Sequence, residues 1–482
     1  MKEKIICLNC QAELYPLQRS LTCPQCSANA VDFLYEKEEG EKIGILNEER
    51  GIWRYKQFLP SFSKTITLSE GNTPIREANQ LFKGKIKLLL KFEGKNPTGS
   101  YLDRISPLMV SDAISRELDS LVCASDGNLG ASLGAYCAAA QVKCFCVVPK
   151  SISSEKRTQM LAVGAEVVDF GDTIDDSIEL AKKMIEKGRY QATPEFNILS
   201  IEGAKTIAFE LVEQLTENGQ FKEIDYLFVP MGSGSLLYSL WKGLKQAKKF
   251  NLLPETAKLP KIVGVQIEGY DMISKSFDSN TGVEKSNKKS SSKNSLAESI
   301  NVKKPAFGDR ALESIKESNG FALSVSEKEM ITASKLLGTK EGIFAELSSA
   351  TVIAAIEKLY DSGYLKKDET VLTLITASGM KTSGAFHRST TSTKKVESFR
   401  SMGTKIEILR IISSDEANFG YSIWKALDQA ISLQAVYQHL KELLSKELII
   451  EIDTSDRQKK YVLTNKGIRL IETMKELEQL LI

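Results

Sequence analysis

The sequence predicts an α/β protein: a two-part core built on a mostly parallel sheet, a short cysteine-punctuated segment before it and an α+β module after it. Three observations carry this. Between residues 43 and 381, apolar β-branched runs alternate with longer amphipathic stretches, the pattern of strand–helix–strand units. The runs are apolar at nearly every position, as strands buried on both faces must be. Beyond about residue 402 the pattern changes to short helices followed by a β-ribbon.

Residues 1–36 come first. Cys7 and Cys10 form one Cys-x2-Cys pair, and Cys23 and Cys26 form a second twelve residues later. Two such pairs close a tetrahedral thiolate site for Zn. A redox dithiol needs only one pair. A segment this short has little core, so the metal supplies folding energy. Cys123, Cys137, Cys144 and Cys146 lie in apolar contexts and read as buried small hydrophobes.

The core strands are expected at 86–92, 143–149, 226–230, 261–268 and 370–376, with helices between them, as in "GASLGAYCAAAQ" and "AKTIAFELVEQL". Residues 275–304 are rich in Ser, Lys and Asn and read as a mobile surface insertion. The Ser/Thr-rich stretch at 382–402 reads as a linker.

Bulk properties exclude some classes. A net charge of +2 over 482 residues creates no global field toward nucleic acid or membrane. No apolar run reaches the roughly 18 residues of a transmembrane helix. The polar start, "MKEKIICLNC", does not read as a signal peptide, so a cytoplasmic, reducing setting is expected.

Five ordered motifs carry more specific information: "EGKNPTGSYLDR", "ASDGNLGAS", "VPMGSGS", "EGIFAELSSA" and "ITASGMK". Together with the four-cysteine segment, they resemble archaeal-type threonine synthase, a fold-type II enzyme of the tryptophan synthase β family that uses pyridoxal phosphate (PLP). The resemblance covers roughly residues 5–381. It implies a two-subdomain PLP fold and a zinc ribbon at 1–36. Asn128 would meet the pyridine hydroxyl. Gly232, Ser233, Gly234 and Ser235 would cradle the phosphate at a helix start. Thr376 and Ser378 would face the pyridine nitrogen. Asn96, Thr98, Ser100, Ser125 and Asn197 would meet an amino acid or amino-acid phosphate.

The departures from the family pattern matter as much. In the family the loop reads Asn-Pro-Thr-Gly-Ser-Phe-Lys-Asp-Arg, and its lysine forms the Schiff base with PLP. Here that position is Leu102, which has no nucleophilic nitrogen and no titratable proton. Lys91 and Lys95 are the lysines nearest in sequence. The arginine that helps hold the substrate phosphate is Ser200 here, and two prolines of the pattern are Ile198 and Leu347.

Residues 403–482 resemble a winged helix-turn-helix. Helices are expected at 404–413, 420–427 and 432–449, with Ser432 as N-cap, then a wing and a closing helix with dimer-like spacing. In that fold the third helix reads DNA, with Gln434, Tyr437, Gln438 and Lys441 as base-facing candidates. Arg457, Lys459 and Lys460 are phosphate candidates. From Arg400 onward, twelve Lys/Arg balance twelve Asp/Glu, so phosphate neutralisation would rest on the wing alone. A dimerisation or docking module remains the alternative.

Three functions stay open. The first is a regulator, in which a non-catalytic PLP- or amino-acid-binding module is coupled to a DNA-binding winged helix, as a homodimer. The second is an active threonine synthase converting O-phosphohomoserine to threonine and phosphate. The third is a non-catalytic partner subunit of such an enzyme.

Overall fold

The computed structural model describes all residues except 39, 42, 186–187, 218, 278–294, 385–392, 415–416, 428–430, 454–458 and 482, together with the side chains of 393–402, 453 and 474–481. The chain forms two compact units, Met1–His387 and Arg388–Ile482.

The first unit opens with a small antiparallel sheet, β1 (Lys2–Cys7), β2 (Glu13–Leu14) and β3 (Val31–Glu36), in the order β2-β1-β3. Its inner edge is tied down by charge. Asp32 on β3 bonds Lys242 at 2.5 Å and accepts the Tyr238 hydroxyl, while Lys242 also meets Glu202 at 2.6 Å. Tyr35 donates to the same Glu202, and Arg310 donates to the carbonyl of Val31 at 2.9 Å. These groups are buried, so each charge needs its partner.

Two parallel sheets follow. The larger contains β4 (Ile75–Glu77), β5 (Lys87–Phe92), β10 (Tyr226–Pro230), β11 (Lys261–Ile267), β12 (Phe321–Val325) and β13 (Thr370–Ile375). Its order is β12-β11-β10-β13-β5-β4, with only β4 antiparallel. The smaller holds β6 (Ser120–Ala124), β7 (Lys143–Val148), β8 (Glu166–Asp169) and β9 (Tyr190–Gln191), all parallel, in the order β8-β7-β6-β9. The five strands expected from the sequence are all here, within a residue or so of their expected bounds. β10 and β13 are buried along their whole length, which is why their sequences show no polar alternation.

One stretch read as a surface insertion behaves otherwise. Residues 278–294 lie outside the described residues. The following segment, 295–304, carries apolar residues and packs inward: Ala297 and Ile300 are buried, and Val302 lies against Gly232. A polar composition averaged over the stretch hides these three.

The heart of the first unit is Arg104, which is fully buried. Its guanidinium bonds Glu93 at 2.7 and 2.8 Å, Glu210 at 2.9 and 3.0 Å, and Thr73 at 3.2 Å. Lys91 joins through Glu210 at 2.5 Å. Gly203 abuts this cluster; a Cβ there would lie 2.4 Å from the Arg104 carbonyl oxygen.

The second unit contains helices Thr393–Ser413, Gly420–Ala426 and Leu433–Ser445, then β14 (Ile449–Asp453), β15 (Lys459–Leu463) and helix Asn465–Leu481. The first helix starts inside the stretch read as a linker, at Thr393. Ser432 caps the third helix by accepting from the Ala435 amide at 3.2 Å. Ile408, Leu409, Ile412, Ile423, Val436, Leu440 and Tyr461 build a core of its own.

Arg104→Met would leave Glu93 and Glu210 buried with only Lys91 to answer them. A loss of about 3–5 kcal/mol is expected in urea unfolding of unit one. A loss below about 1 kcal/mol would remove Arg104 from this central role.

Candidate cofactor and ligand site

Four of the five motifs follow the ends of β5, β6, β10 and β13; the fifth joins helices Glu327–Glu341 and Leu347–Asp361, and its Glu346 meets Asn128 at 2.8 Å and Lys156 at 3.1 Å. After β5 the chain makes a short turn, then the loop Asn96–Ser100, then a single turn Tyr101–Arg104. Asp103 shapes this loop. Its carboxylate accepts the Thr98 amide at 2.7 Å, the Thr98 hydroxyl at 2.6 Å and the Ser132 hydroxyl at 2.6 Å. The loop is stitched to the end of β13, where the Tyr101 amide donates to Thr376 O and the Ser378 amide to Gly99 O, both at 2.9 Å. Leu102 is 9% exposed in the middle of this turn.

After β6, Ser125 accepts the amides of Gly127 and Gly130 at 2.9 Å and starts helix Asn128–Ala140. Gly127 has φ +113, and a Cβ there would strike the Lys156 side chain at 2.5 Å, so this position requires glycine. Asn128 donates from Nδ2 to Glu346 at 2.8 Å and to Ser299 at 3.0 Å, while its Oδ1 has no partner.

After β10, Gly232–Gly234 leads into helix Ser235–Lys249. Among the described residues, no acceptor meets the amides of Ser233, Gly234, Ser235 or Leu236. Four free N–H groups at a helix start suit an anion such as a phosphate. The Ser233 and Ser235 hydroxyls lie 3.0 Å apart. At the end of β13, Thr376 and Ser349 share a hydroxyl bond of 2.7 Å, and Ser378 accepts the Met380 amide. These residues supply anion donors and hydroxyls of the kind a phosphate-bearing pyridine needs.

The residues expected to meet substrate are mostly engaged by the protein. Asn96 bonds Glu93 and the Gly71 amide, and Thr98 bonds Asp103. Asn197 donates to Tyr190 and to Gln191 O, and Ser200 donates to Pro194 O. The Ser100 hydroxyl is left without a partner.

Of the lysines near the loop in sequence, Lys91 is buried in the Arg104 cluster, with bonds to Thr73 O, Glu210 and Gln214, and Lys95 is exposed. Two other lysines enter instead. Lys156 is fully buried between Glu298 at 3.2 Å and Glu346 at 3.1 Å. Burial opposes its charge, yet Glu346, Asp126 and Glu298 hold its pKa above the ordinary value. Lys381 donates to Thr98 O and to Gln159, both at 2.8 Å. Burial holds its amine down to about 8, against the pull of Asp103 and Glu346.

Acids dominate the rest. Burial raises Asp126 above the usual carboxylate range, with Lys156 opposing and Glu346 adding to the rise. Burial, with Asp126 and Asp175 beside it, pushes Glu195 up to about 7. Glu346 stays low because Lys156 and Asn128 outweigh its burial. Reading the sequence missed Lys156 and Glu195, which no motif marked. Asp126, Glu346 and Lys381 stood inside quoted motifs, but nothing in the sequence revealed their mutual distances.

At the ribbon, the Sγ atoms of Cys7, Cys10, Cys23 and Cys26 all lie within 4.8 Å of one another. The Cys7–Cys26 and Cys10–Cys23 separations are 3.6 and 3.9 Å. A tetrahedral ion with bonds of about 2.3 Å to sulfur needs about 3.8 Å between sulfurs.

Such a two-sheet fold, with a helix-start anion cradle and hydroxyls at the strand ends, defines a PLP-type enzyme scaffold. Residues 66–377 match the pyridoxal-phosphate dependent enzyme family, and the chain belongs to it. It is 32% identical over 400 residues to a threonine synthase of Methanocaldococcus jannaschii, covering 81% of this chain and 96% of that protein. It is 33% identical to a threonine synthase of Halalkalibacterium halodurans, over 70% of this chain and 91% of the relative. Among solved structures, a T.th. threonine deaminase aligns with TM-score 0.51 at 25% identity, over 64% of this chain and 92% of that one. The structure of maize serine racemase shares the fold with TM-score 0.52 at 19% identity, over 66% and 91% of the two chains. No helix among the described residues is long and apolar enough to cross a membrane.

Glu195 makes a pH prediction. Its folded carboxyl keeps a proton up to about 7, while the ordinary value is 4.5. That contribution to stability is present at low pH and fades as pH rises through about 7. Glu195→Gln should therefore flatten part of the decline in urea midpoint between pH 5 and pH 8. An unchanged slope would show that Glu195 titrates normally.

Proposed function

We propose that this chain uses a threonine synthase-like scaffold to bind PLP and a small ligand without catalysis, and that it serves as the sensing module of a DNA-binding regulator. One observation carries the reading: Leu102 stands in the turn Tyr101–Arg104, the place that by resemblance holds the family's anchor lysine. When bound to such a lysine, PLP draws electrons from an amino-acid substrate. Its phosphate is proposed to lie at the free amides of Ser233–Leu236 and its ring by Asn128, Thr376 and Ser378, supported by the open helix start and the hydroxyls at the end of β13. Leucine at 102 offers neither a covalent hold nor a base, and losing such a group costs orders of magnitude in rate.

The ribbon cysteines are proposed to hold one structural Zn, supported by their mutual spacing. The second unit is proposed to be a winged helix. Gln434, Tyr437, Gln438 and Lys441 are exposed along one face of helix Leu433–Ser445, which supports a role in reading a groove. Lys459 and Lys460 begin β15 and are the proposed phosphate contacts; Arg457 lies outside the described residues. Homodimerisation through the closing helix would match a two-fold operator.

A second reading has its own support. Lys381 is a buried amine that burial lowers to about 8, so it gives up its proton more readily than an ordinary lysine. Were it to take over the role of position 102, the chain would be an active threonine synthase.

Borohydride treatment after adding PLP separates the two. The regulator reading expects loss of PLP on dialysis and no lysine peptide carrying reduced cofactor in the mass map. A reduced adduct on Lys381 or Lys156 would overturn it. For the second unit, Lys459→Ala and Lys460→Ala should each weaken DNA binding about equally on all sequences and lower the salt slope by about one. Unchanged affinity in both would turn the module toward protein docking.

A further inference from the structure

One residue of the ribbon is bound to the body of the first unit in two ways. Arg19 lies on the stretch between the two cysteine pairs. Its guanidinium makes a two-pronged bond to Asp112 on helix Ser106–Ser115, at 3.1 and 2.9 Å. Its backbone carbonyl accepts the Ile198 amide at 2.9 Å. Asp112 is buried and accepts the Tyr190 hydroxyl at 2.7 Å. The Tyr190 oxygen in turn accepts Nδ2 of Asn197 at 2.9 Å, and Asn197 Oδ1 accepts the Leu199 amide at 3.0 Å. Arg19 therefore holds the Asn197–Ile198 pair at two points. One is its own carbonyl at Ile198; the other runs through Asp112 and Tyr190 to the Asn197 side chain. This pair opens the segment Asn197–Ser200, whose counterpart by resemblance meets the substrate.

The stretch that carries Arg19 has few other ties. Tyr15, Leu17 and Thr22 are exposed, and Leu21 is its one residue in the core. Arg116 donates to the Leu17 carbonyl at 2.9 Å, and the Val31 amide to the Leu21 carbonyl at 3.0 Å. The cysteines that bound the stretch bring Cys10 Sγ and Cys23 Sγ to 3.9 Å, within the four-sulfur set. A metal shared by that set closes the chain between Cys10 and Cys23 into a ring and removes most of its freedom. β3 is fastened differently. Asp32 bonds Lys242 and the Val31 carbonyl accepts from Arg310, so this edge stays docked with or without a metal.

We infer that the four-cysteine set is a metal-dependent clamp on the ligand site, with Arg19 as the positioning residue through which the metal orders Asn197–Ser200. This deepens the proposed function by adding a control to the same site, and it rests on that reading only in taking Asn197–Ser200 as part of that site. Loss of the metal frees the Arg19 stretch while β3 remains attached, so the effect is local. Two amides report it directly: Ile198, bonded to the Arg19 carbonyl, and Leu199, bonded to the Asn197 side chain. Arg19→Gln is an informative variant because Arg116 still meets Asp112 at 2.8 Å, so no buried charge is stranded.

The test is hydrogen exchange of the full chain, read peptide by peptide, with the metal content of each sample measured by atomic emission. Wild type is compared with a variant carrying Cys10→Ser and Cys26→Ser, with Arg19→Gln and with Arg19→Lys. The inference expects zinc in the wild type and none in the cysteine variant. It expects the Ile198 and Leu199 amides to exchange about tenfold faster in the cysteine variant, with β5 and β13 unchanged. Arg19→Gln should keep its zinc and show a smaller rise at the same two amides. Arg19→Lys, which retains a charge for Asp112, should recover part of the protection. A wild type without zinc, equal exchange at Ile198 and Leu199 in wild type and cysteine variant, a rise spread evenly over the first unit, or Arg19→Gln matching wild type would overturn it. A PLP titration of the same samples, followed by absorbance, reads the proposed function separately. Wild type that takes up no PLP defeats that reading, while exchange at the two amides still decides this one.

Discussion

The fixed point of the first unit is the guanidinium of Arg104, buried between Glu93 and Glu210. A charge with no access to water must have its donors met inside the protein. Its carboxylate partners come from the turn after β5 and from helix Thr206–Glu217, and Thr73 adds a hydroxyl. The loop Asn96–Ser100 is therefore held at its far end before any ligand arrives. Asp103 closes the same loop on Thr98 and Ser132, and the end of β13 stitches it from the other side. The rigid turn that results is the one that presents Leu102.

A second buried network does for the ribbon what Arg104 does for the loop. Asp32 reaches Lys242 on the helix that begins at the Gly232–Gly234 turn, and Glu202 follows Ser200 on a neighbouring short helix. The ribbon is thus joined by charge to two elements that border the proposed site. Tyr35 and Tyr238 donate hydroxyls into the same cluster, and burial with the adjoining carboxylates raises both phenols. Lys242 is the shared member, since it meets both Asp32 and Glu202, while Lys205 gives Glu202 a second cation.

The motif loops have a different character. In the Arg104 cluster, Arg104 and Lys91 answer Glu93 and Glu210, whereas at the start of helix Asn128–Ala140 the Asn128 Oδ1 is buried without a partner and burial raises the carboxyls of Asp126 and Glu195. The hydrogen bonds of Asn96, Thr98 and Asn197 show the contrast: they are already complete, so these residues shape the walls.

The sequence by itself determined the strands, the order of the motifs, the paired cysteines and the residue at 102. These rest on local periodicity and spacing, which neighbouring residues express directly. It also placed Gln434, Tyr437, Gln438 and Lys441 on one helix, because a period of 3.6 puts them on one face. Only the tertiary structure decided which charges meet. Lys156 and Glu195 carry no motif, and the partners of Lys91 and Lys381 lie far away in the chain. The segment 295–304 packs inward because Ala297 and Ile300 join the core and Val302 lies against Gly232, which composition averaged over the thirty positions 275–304 concealed. Electrostatic balance depends on distances between remote residues and on the water excluded between them, and neither is written in local sequence.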